Sequence, residues 1–305
     1  MNTKLEHLLS NNGLYWLTYY FLSATRIKKL LSDKAFLKLQ YRCLCGKPLN
    51  IKHPQTYNEK LQWLKVYNQN PLYTKLVDKA LVKNYVAELI GEDHIIPTIA
   101  VYNRVEEIEW EKLPNQFVIK CTHDSGGNVI CHDKSQLNIE SAQEKLSRCL
   151  KHNFYWDTRE WPYKNVKPRI IVEKYMTDGD GELKDYKFFC FDGTPKALFI
   201  ATDRFTKNVE TKFDYFDMDF NHLSFRGGHP NSEKPIQKPD GFDQMKEMAS
   251  KLSVGFPHVR VDLYYVDGKI YFGEYTFYHW GGMMPFEPEE WNHKFGSWIT
   301  LPKNV

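Results

Sequence analysis

Residues 259–277, VRVDLYYVDGKIYFGEYTF, constrain the fold more than any other stretch of this chain. Two runs of β-branched and aromatic residues alternate about Asp267-Gly268, a dipeptide that predicts a hairpin turn. The apolar positions belong to a core. Arg260, Asp262 and Glu274 do not, because charge on a sheet must face water or a charged partner. A two-residue turn pairs Val266 with Lys269 and throws Glu274 onto the face opposite Asp262. A three-residue turn, with Gly268 left-handed in a bulge, pairs Tyr265 with Lys269 and sets Arg260 opposite Glu274. Arg260, Asp262, Glu274 and Thr276 then share one face. That register is the expectation, since the alternative splits the charges over both faces.

Two carboxylates on neighbouring strands, with a hydroxyl two residues after the second, suit a hard cation. Magnesium takes a few carboxylate oxygens and completes its octahedron with phosphate and water. An adjacent arginine suits the charge that develops on a transferred phosphoryl group. From the hairpin alone, a cross-strand Arg–Glu pair on a wet face explains the same residues.

The rest of the chain supplies context. Its 305 residues suffice for one large domain or two or three lobes. Residues 1–65 read as helical, with Ser32 as an N-cap and Thr56-x-x-Glu59 as a capping box. Residues 72–91 read as one amphipathic helix closed by Gly91. Strands follow at 95–102, 115–123 and 168–176, with a hairpin about Asp192-Gly193 and a helix at 242–253. The mixture is α+β with antiparallel hairpins. A net charge of +3 is too small a basic excess for a nucleic-acid binder. The six cysteines lack zinc-ligand spacing, and neither a signal peptide nor an 18-residue apolar run is visible, so a cytoplasmic, reduced chain is expected. LYWLTYYFLSATRIKKLL (14–31) is apolar and aromatic, then basic. It fits a helix docked on the protein's own core, the arm of a homodimer, or a peripheral contact with the inner face of a membrane.

Two further segments look towards a nucleotide. In FVIKCTHDSGGNVI, Lys120 ends a strand and Ser125-Gly126-Gly127-Asn128 form a tight turn. Glycines let backbone N–H groups approach phosphate oxygens, and lysine adds a point charge. In IIVEKYMTDGDGELKDYKFF, an apolar strand runs out through Glu173, Lys174, Tyr175 and Met176 into an acidic linker. A strand that stops leaves free backbone groups to read an adenine edge. Asp180, Glu182 or Asp185 would then take the ribose hydroxyls.

In this order, over residues 56–285, these pieces closely resemble the TupA-like ATP-grasp family, with TYNEKLQWLKVYNQNPLYTKLVDK and DYKFFCFDGTPK adding to the match. Members are found in teichuronopeptide, capsule and O-antigen gene clusters. The resemblance implies an ATP-grasp fold in which two lobes with antiparallel sheets grip ATP, preceded by a helical segment. The implied divisions are 1–65, 66–115, 116–176 for the small lobe and 177–305 for the large one. Lys83 and Lys120 would hold phosphates under the Ser125–Asn128 loop, and Glu173 to Met176 would line adenine. Asp262, Glu274 and Thr276 would hold Mg2+, although many relatives in the wider superfamily have Asn where this chain has Thr276. Arg260 and Lys120 would act on the reacting groups. The reaction implied is ATP-dependent joining of a glycan or nucleotide-sugar uronic acid to an amino acid through an acyl phosphate. Loops carrying Arg204, Arg226, His229 and His279, together with Arg159, Trp161, Tyr163 and Trp280, would border the substrates. Asp217-Met218-Asp219 offers a different reading, a metal-dependent glycosyltransferase whose D-x-D holds a sugar nucleotide.

Overall fold

The computed structural model describes residues 13–177, 183–203 and 209–303. Asp180, Glu182 and Arg204 lie outside the described residues. The chain opens with α1 (Gly13–Ala24), α2 (Asp33–Cys45) and α3 (Tyr57–Tyr67). Ser32 accepts from the Ala35 N–H at the start of α2, and Thr56 and Glu59 form the reciprocal capping box of α3.

The single helix expected over 72–91 is two: α4 (Pro71–Val77) and α5 (Val82–Ile90). The Asp78 carboxylate accepts from the N–H groups of Ala80 and Leu81 and also pairs with Arg169, so it offers the backbone a turn instead of a continued helix. The break turns Lys79 out of the helical row, and its N–H donates to the Thr122 carbonyl.

Next come β1 (Thr98–Tyr102), β2 (Phe117–Cys121), β3 (Val129–Cys131), α6 (Ile139–Lys151), the short α7 (Tyr155–Thr158) and β4 (Ile170–Lys174). The four strands form one antiparallel sheet in the order β1-β4-β2-β3. β1 therefore belongs to this sheet and not to a separate preceding region. One face carries Phe117, Ile119, Cys121, Ile170 and Val172 against Leu146 and Cys149 of α6. The other carries Lys120 and Glu173.

The larger sheet contains β5 (Asp185–Phe191), β6 (Thr194–Thr202) and β7 (Lys212–Phe216). After a short β8 (Arg226–Gly227) and α8 (Phe242–Ser253), it is completed by β9 (Val259–Val266) and β10 (Lys269–Thr276), in the order β10-β9-β5-β6-β7. β11 (Phe286–Glu287) pairs with β8, and α9 (Glu290–Trp298) ends the fold. α8 covers one face of the sheet through Phe242, Met245, Ala249 and Leu252. On the other face an aromatic cluster joins Phe189 to Tyr57 of α3 and Phe295 of α9. α3 thus docks in the large lobe's core, across the boundary expected at residue 65. Gly296 lets it: a Cβ there would come within 2.4 Å of the Gln55 carbonyl oxygen.

The hairpin register differs from expectation. Lys269 pairs with Val266, so the turn is the two-residue Asp267-Gly268, with φ of 49° and 78°. The ladder then slips between Phe272 and Glu274, and Gly273 is the extra residue. The bulge restores what the tight turn would have lost: Glu274 lies opposite Asp262, and Thr276 opposite Arg260.

Candidate active site

Side-chain alternation brings Asp185, Lys187, Arg260, Asp262, Glu274 and Thr276 to one face of the large sheet. Arg260 organises them. Its Nε and one terminal nitrogen each donate to Asp262 at 2.6 Å, and that terminal nitrogen also reaches Thr276 Oγ1 at 2.9 Å and Glu274 at 3.5 Å. The other terminal nitrogen lies 2.6 Å from His279 Nδ1. A guanidinium has no acceptor, so Nδ1 accepts and Nε2–H faces the Met284 sulfur. Burial holds His279 well below its ordinary pKa, and the Arg260 charge adds to the effect. His279 therefore positions Arg260 from a buried place, where the sequence suggested contact with substrate.

All three side chains expected to hold the metal bond to Arg260. Asp262 is fully buried, with its second oxygen also taken by Lys187. Burial works against its ionisation, but Arg260 and Lys187 together leave its pKa below the usual carboxylate value. Glu274 is different: its side chain is 45% exposed and its contact with Arg260 is long, at 3.5 Å, so its carboxylate is available to a ligand. Among the described residues, no group of three or more His, Cys, Asp or Glu is placed to hold a metal ion. Asp185, a ribose candidate, is buried and ion-paired with Lys187.

The small sheet faces this wall with a second charged cluster. Glu173 accepts from Lys83 at 2.5 Å and from Lys120 at 2.6 Å. Burial opposes its charge, yet Lys120 and Lys83 bring its pKa below the ordinary range. Lys83 also donates to the Ile96 carbonyl and the Thr98 hydroxyl, which fixes α5 to the sheet. Lys79 joins the two walls. Its Nζ donates to the Asp124 carbonyl at 2.7 Å. Burial lowers its pKa, and the charges it feels include Glu274, Lys120 and Glu173.

The Ser125–Asn128 turn lies beside Lys79. The Asp124 carboxylate accepts from the Ser125 N–H at 2.8 Å and from the Cys149 thiol at 2.8 Å. Gly126 has φ of 92°, and a Cβ on Gly127 would come within 2.1 Å of Cys149 Sγ. Both glycines are therefore required by the turn itself.

A cavity of about 360 Å³ opens here, lined by Lys79, Ser125, Arg260, Glu274 and Thr276. Its farther wall holds Lys65, Glu160, Tyr163, Tyr278 and Trp280. Burial lowers the Lys65 pKa to about 8 and raises that of Glu160 to about 7, and each charge partly offsets the other's shift. A second cavity of about 360 Å³ lies between Lys174–Thr177 and the hairpin tip, Val266, Asp267, Lys269 and Tyr271. Lys174, Tyr175 and Met176, expected to line adenine, border this cavity.

Other candidates fall outside. Arg226 is exposed on β8, and His229 packs edge-on against Phe213 and Trp280. Arg159 is fully buried over the rings of Phe36, Tyr155 and Trp156. Asp217 spends its oxygens on the N–H groups of Asp219 and Asn221 and on the Asn221 side chain. Asp217 of the D-x-D is thus held within its own turn. Lys79, Lys187, Lys65 and Glu160 were missed. Lys187 was legible, since it alternates with Asp185 as Arg260 does with Asp262. Lys79, Lys65 and Glu160 carry no such signal.

Two antiparallel sheets with facing charged walls and a lysine between them define an ATP-grasp fold. The chain belongs to the TupA-like ATPgrasp family, whose sequence profile matches residues 59–300. No curated protein matches the sequence. Among solved structures, it is similar to a D-alanine–D-alanine ligase from Bacillus anthracis complexed with ATP. That match has 18% identity and a TM-score of 0.37, and covers 66% of this chain and 55% of that one. It is also similar to the ATP-grasp ligase PsnB complexed with its minimal precursor, at 9% identity and a TM-score of 0.42, covering 83% and 67%. A D-alanine–D-alanine ligase from Helicobacter pylori matches at 13% identity and a TM-score of 0.40, covering 80% and 69%. The chain thus spans about half the length of the Bacillus anthracis ligase.

Proposed function

We propose that the protein is an ATP-dependent carboxylate–amine ligase. The observation that carries this reading is the meeting of Lys79, Ser125, Arg260 and Glu274 around one cavity. Lysines on one wall suit a triphosphate, and an arginine on the other suits charge that develops on a transferred phosphoryl group. The donor set fits ATP: Lys79, Lys83 and Lys120 crowd round Glu173, which leaves an excess of positive charge for phosphate.

Magnesium fits in part. Glu274 offers an open carboxylate, and magnesium is ordinarily held by one or two carboxylates plus substrate phosphates. Asp262 joins it only by giving up a bond to Arg260 or Lys187. When bound, the ion would neutralise phosphate charge. The protein's own residues do the rest. Lys79 and Lys120 hold phosphate oxygens, and the Ser125–Asn128 turn presents N–H groups. Arg260, aimed by Asp262 and His279, faces the acid. The second cavity takes the adenine beside Lys174–Met176.

For substrate, the family resemblance supports a uronic-acid carboxyl on a surface glycan or its nucleotide-sugar precursor, with an amino acid as the amine. The aromatic residues Tyr163, Tyr278 and Trp280 lining the cavity suit a sugar ring. The test is ADP release from Mg-ATP with glucuronic acid, galacturonic acid or UDP-glucuronic acid and a panel of amino acids. ADP formed only when acid and amine are both present supports the reading. No release with any pair, and no raised melting point with Mg-ATP, rejects it.

A further inference from the structure

α1 holds no charged side chain in its twelve residues, GLYWLTYYFLSA. One side is fastened. The Tyr19 hydroxyl accepts from Gln40 at 2.9 Å, and the Arg42 guanidinium lies 5.5 Å over the Tyr15 ring. The base beneath is also fixed: buried Arg159 donates to the Lys28 carbonyl, and Lys28 pairs with Asp157. Apolar side chains of this segment are nonetheless exposed. Tyr15, Leu17, Tyr20 and Phe21 are 45–58% exposed, and Ile27 at 44% and Leu30 at 85% extend the surface. Single exposed apolar residues are ordinary. Six within sixteen residues, on an anchored element, mark a contact surface.

Charge identifies what covers it. Residues 13–47 contain seven Lys and Arg against one Asp, with Lys28 and Lys47 paired to Asp157 and Glu289, while the whole chain nets only +3. Lys29, Lys34 and Lys38 are exposed. A second copy would set this positive excess against itself. An anionic bilayer offers opposite charge, an acyl layer for Leu and Phe, and a headgroup zone that suits Tyr. None of the described helices is long and apolar enough to cross a membrane. We propose that the α1–α2 surface docks the protein on an anionic lipid bilayer.

The surface adjoins the catalytic cavity. Gln40 and Leu44 of α2 line that cavity with Trp280, and Leu44 and Trp280 are nearly half exposed. Docking through α1–α2 brings this wall towards the headgroups, within reach of a glycan carried on a lipid. Only this last step rests on the ligase reading.

The test is co-sedimentation of the full chain, without nucleotide, with phosphatidylcholine vesicles and with vesicles containing about 30% phosphatidylglycerol. Binding to the anionic vesicles alone, weakened by high salt, is expected. Leu17→Glu with Phe21→Glu should reduce it at least about tenfold, and so should Lys29→Glu with Lys34→Glu and Lys38→Glu. These side chains are exposed, and melting curves confirm that the variants fold. Absence of vesicle binding, or binding untouched in both variants, overturns the proposal. So does a dimer in sedimentation velocity that Leu17→Glu with Phe21→Glu disperses while vesicles stay unbound; that result assigns the surface to a second copy. Vesicle binding without ligase activity would leave the docking surface standing and reject the ligase reading alone.

Discussion

Glu274 stands directly across the β9–β10 ladder from Asp262, and Gly273 is the reason. Without the extra residue, the two-residue turn would place Glu274 opposite Val261, on the α8 side of the sheet. The bulge brings two carboxylates into one site, but in different states. Asp262 is buried and saturated by cations, whereas Glu274 is open to the cavity.

That difference separates two variants. Glu274→Gln should abolish magnesium-dependent ADP release and change stability by no more than about 0.5 kcal/mol, as for a weakly held exposed side chain. Asp262→Asn should abolish release and also cost about 3 kcal/mol, because it leaves Arg260 and Lys187 short of a buried counter-charge. Paired assays of ADP release and chemical denaturation check both. Full turnover in Glu274→Gln would remove Glu274 from the site.

Lys79→Ala should weaken ATP binding roughly 10- to 100-fold, the loss of one hydrogen bond to a charged group. Lys120→Ala should weaken it similarly while Lys83 keeps Glu173 neutralised, so the fold survives. Calorimetric titration with ATP reads both. Unchanged affinity in the two would rule out this wall as the phosphate site.

Gly127→Ala drives a methyl into Cys149 Sγ. It should cost about 1–3 kcal/mol and lower ATP affinity by displacing the turn. Adding Cys149→Ala removes the sulfur and should recover much of both. If the double variant is as impaired as the single one, the clash is not the cause.

Glu160 predicts a pH dependence. Its pKa rises from 4.5 unfolded to about 7 folded, so the folded state binds the extra proton. The stability linked to this group is fully present below pH 4.5 and is lost as pH rises through about 7. Glu160→Gln should therefore flatten the melting-temperature profile between those values relative to the wild type. Parallel profiles would mean that Glu160 is not carrying a raised pKa.

Local chemistry was legible wherever it sufficed. Thr56 and Glu59 cap α3, Gly91 closes α5, Asp192-Gly193 makes its turn, and α8 runs over 242–253. Each is set by groups a few residues apart. The expected meeting of Arg260, Asp262, Glu274 and Thr276 also followed from strand alternation, though by the wrong turn. A bulge leaves little trace in sequence beyond a glycine, and a Cβ on Gly273 would come within 2.9 Å of the Tyr264 ring.

The sequence by itself determined the α+β class, most of the elements, the hairpin and the family. Only the tertiary structure decided which charges meet. Arg159, Asp217 and His279 look like site residues in the chain but lie over buried rings, within their own turn and against Arg260. Lys79, Lys65 and Glu160 look like ordinary helix and loop residues but line the cavity. The reason is physical. Alternation and capping act along the chain, whereas desolvation and ion pairing depend on what distant segments bring to the same place.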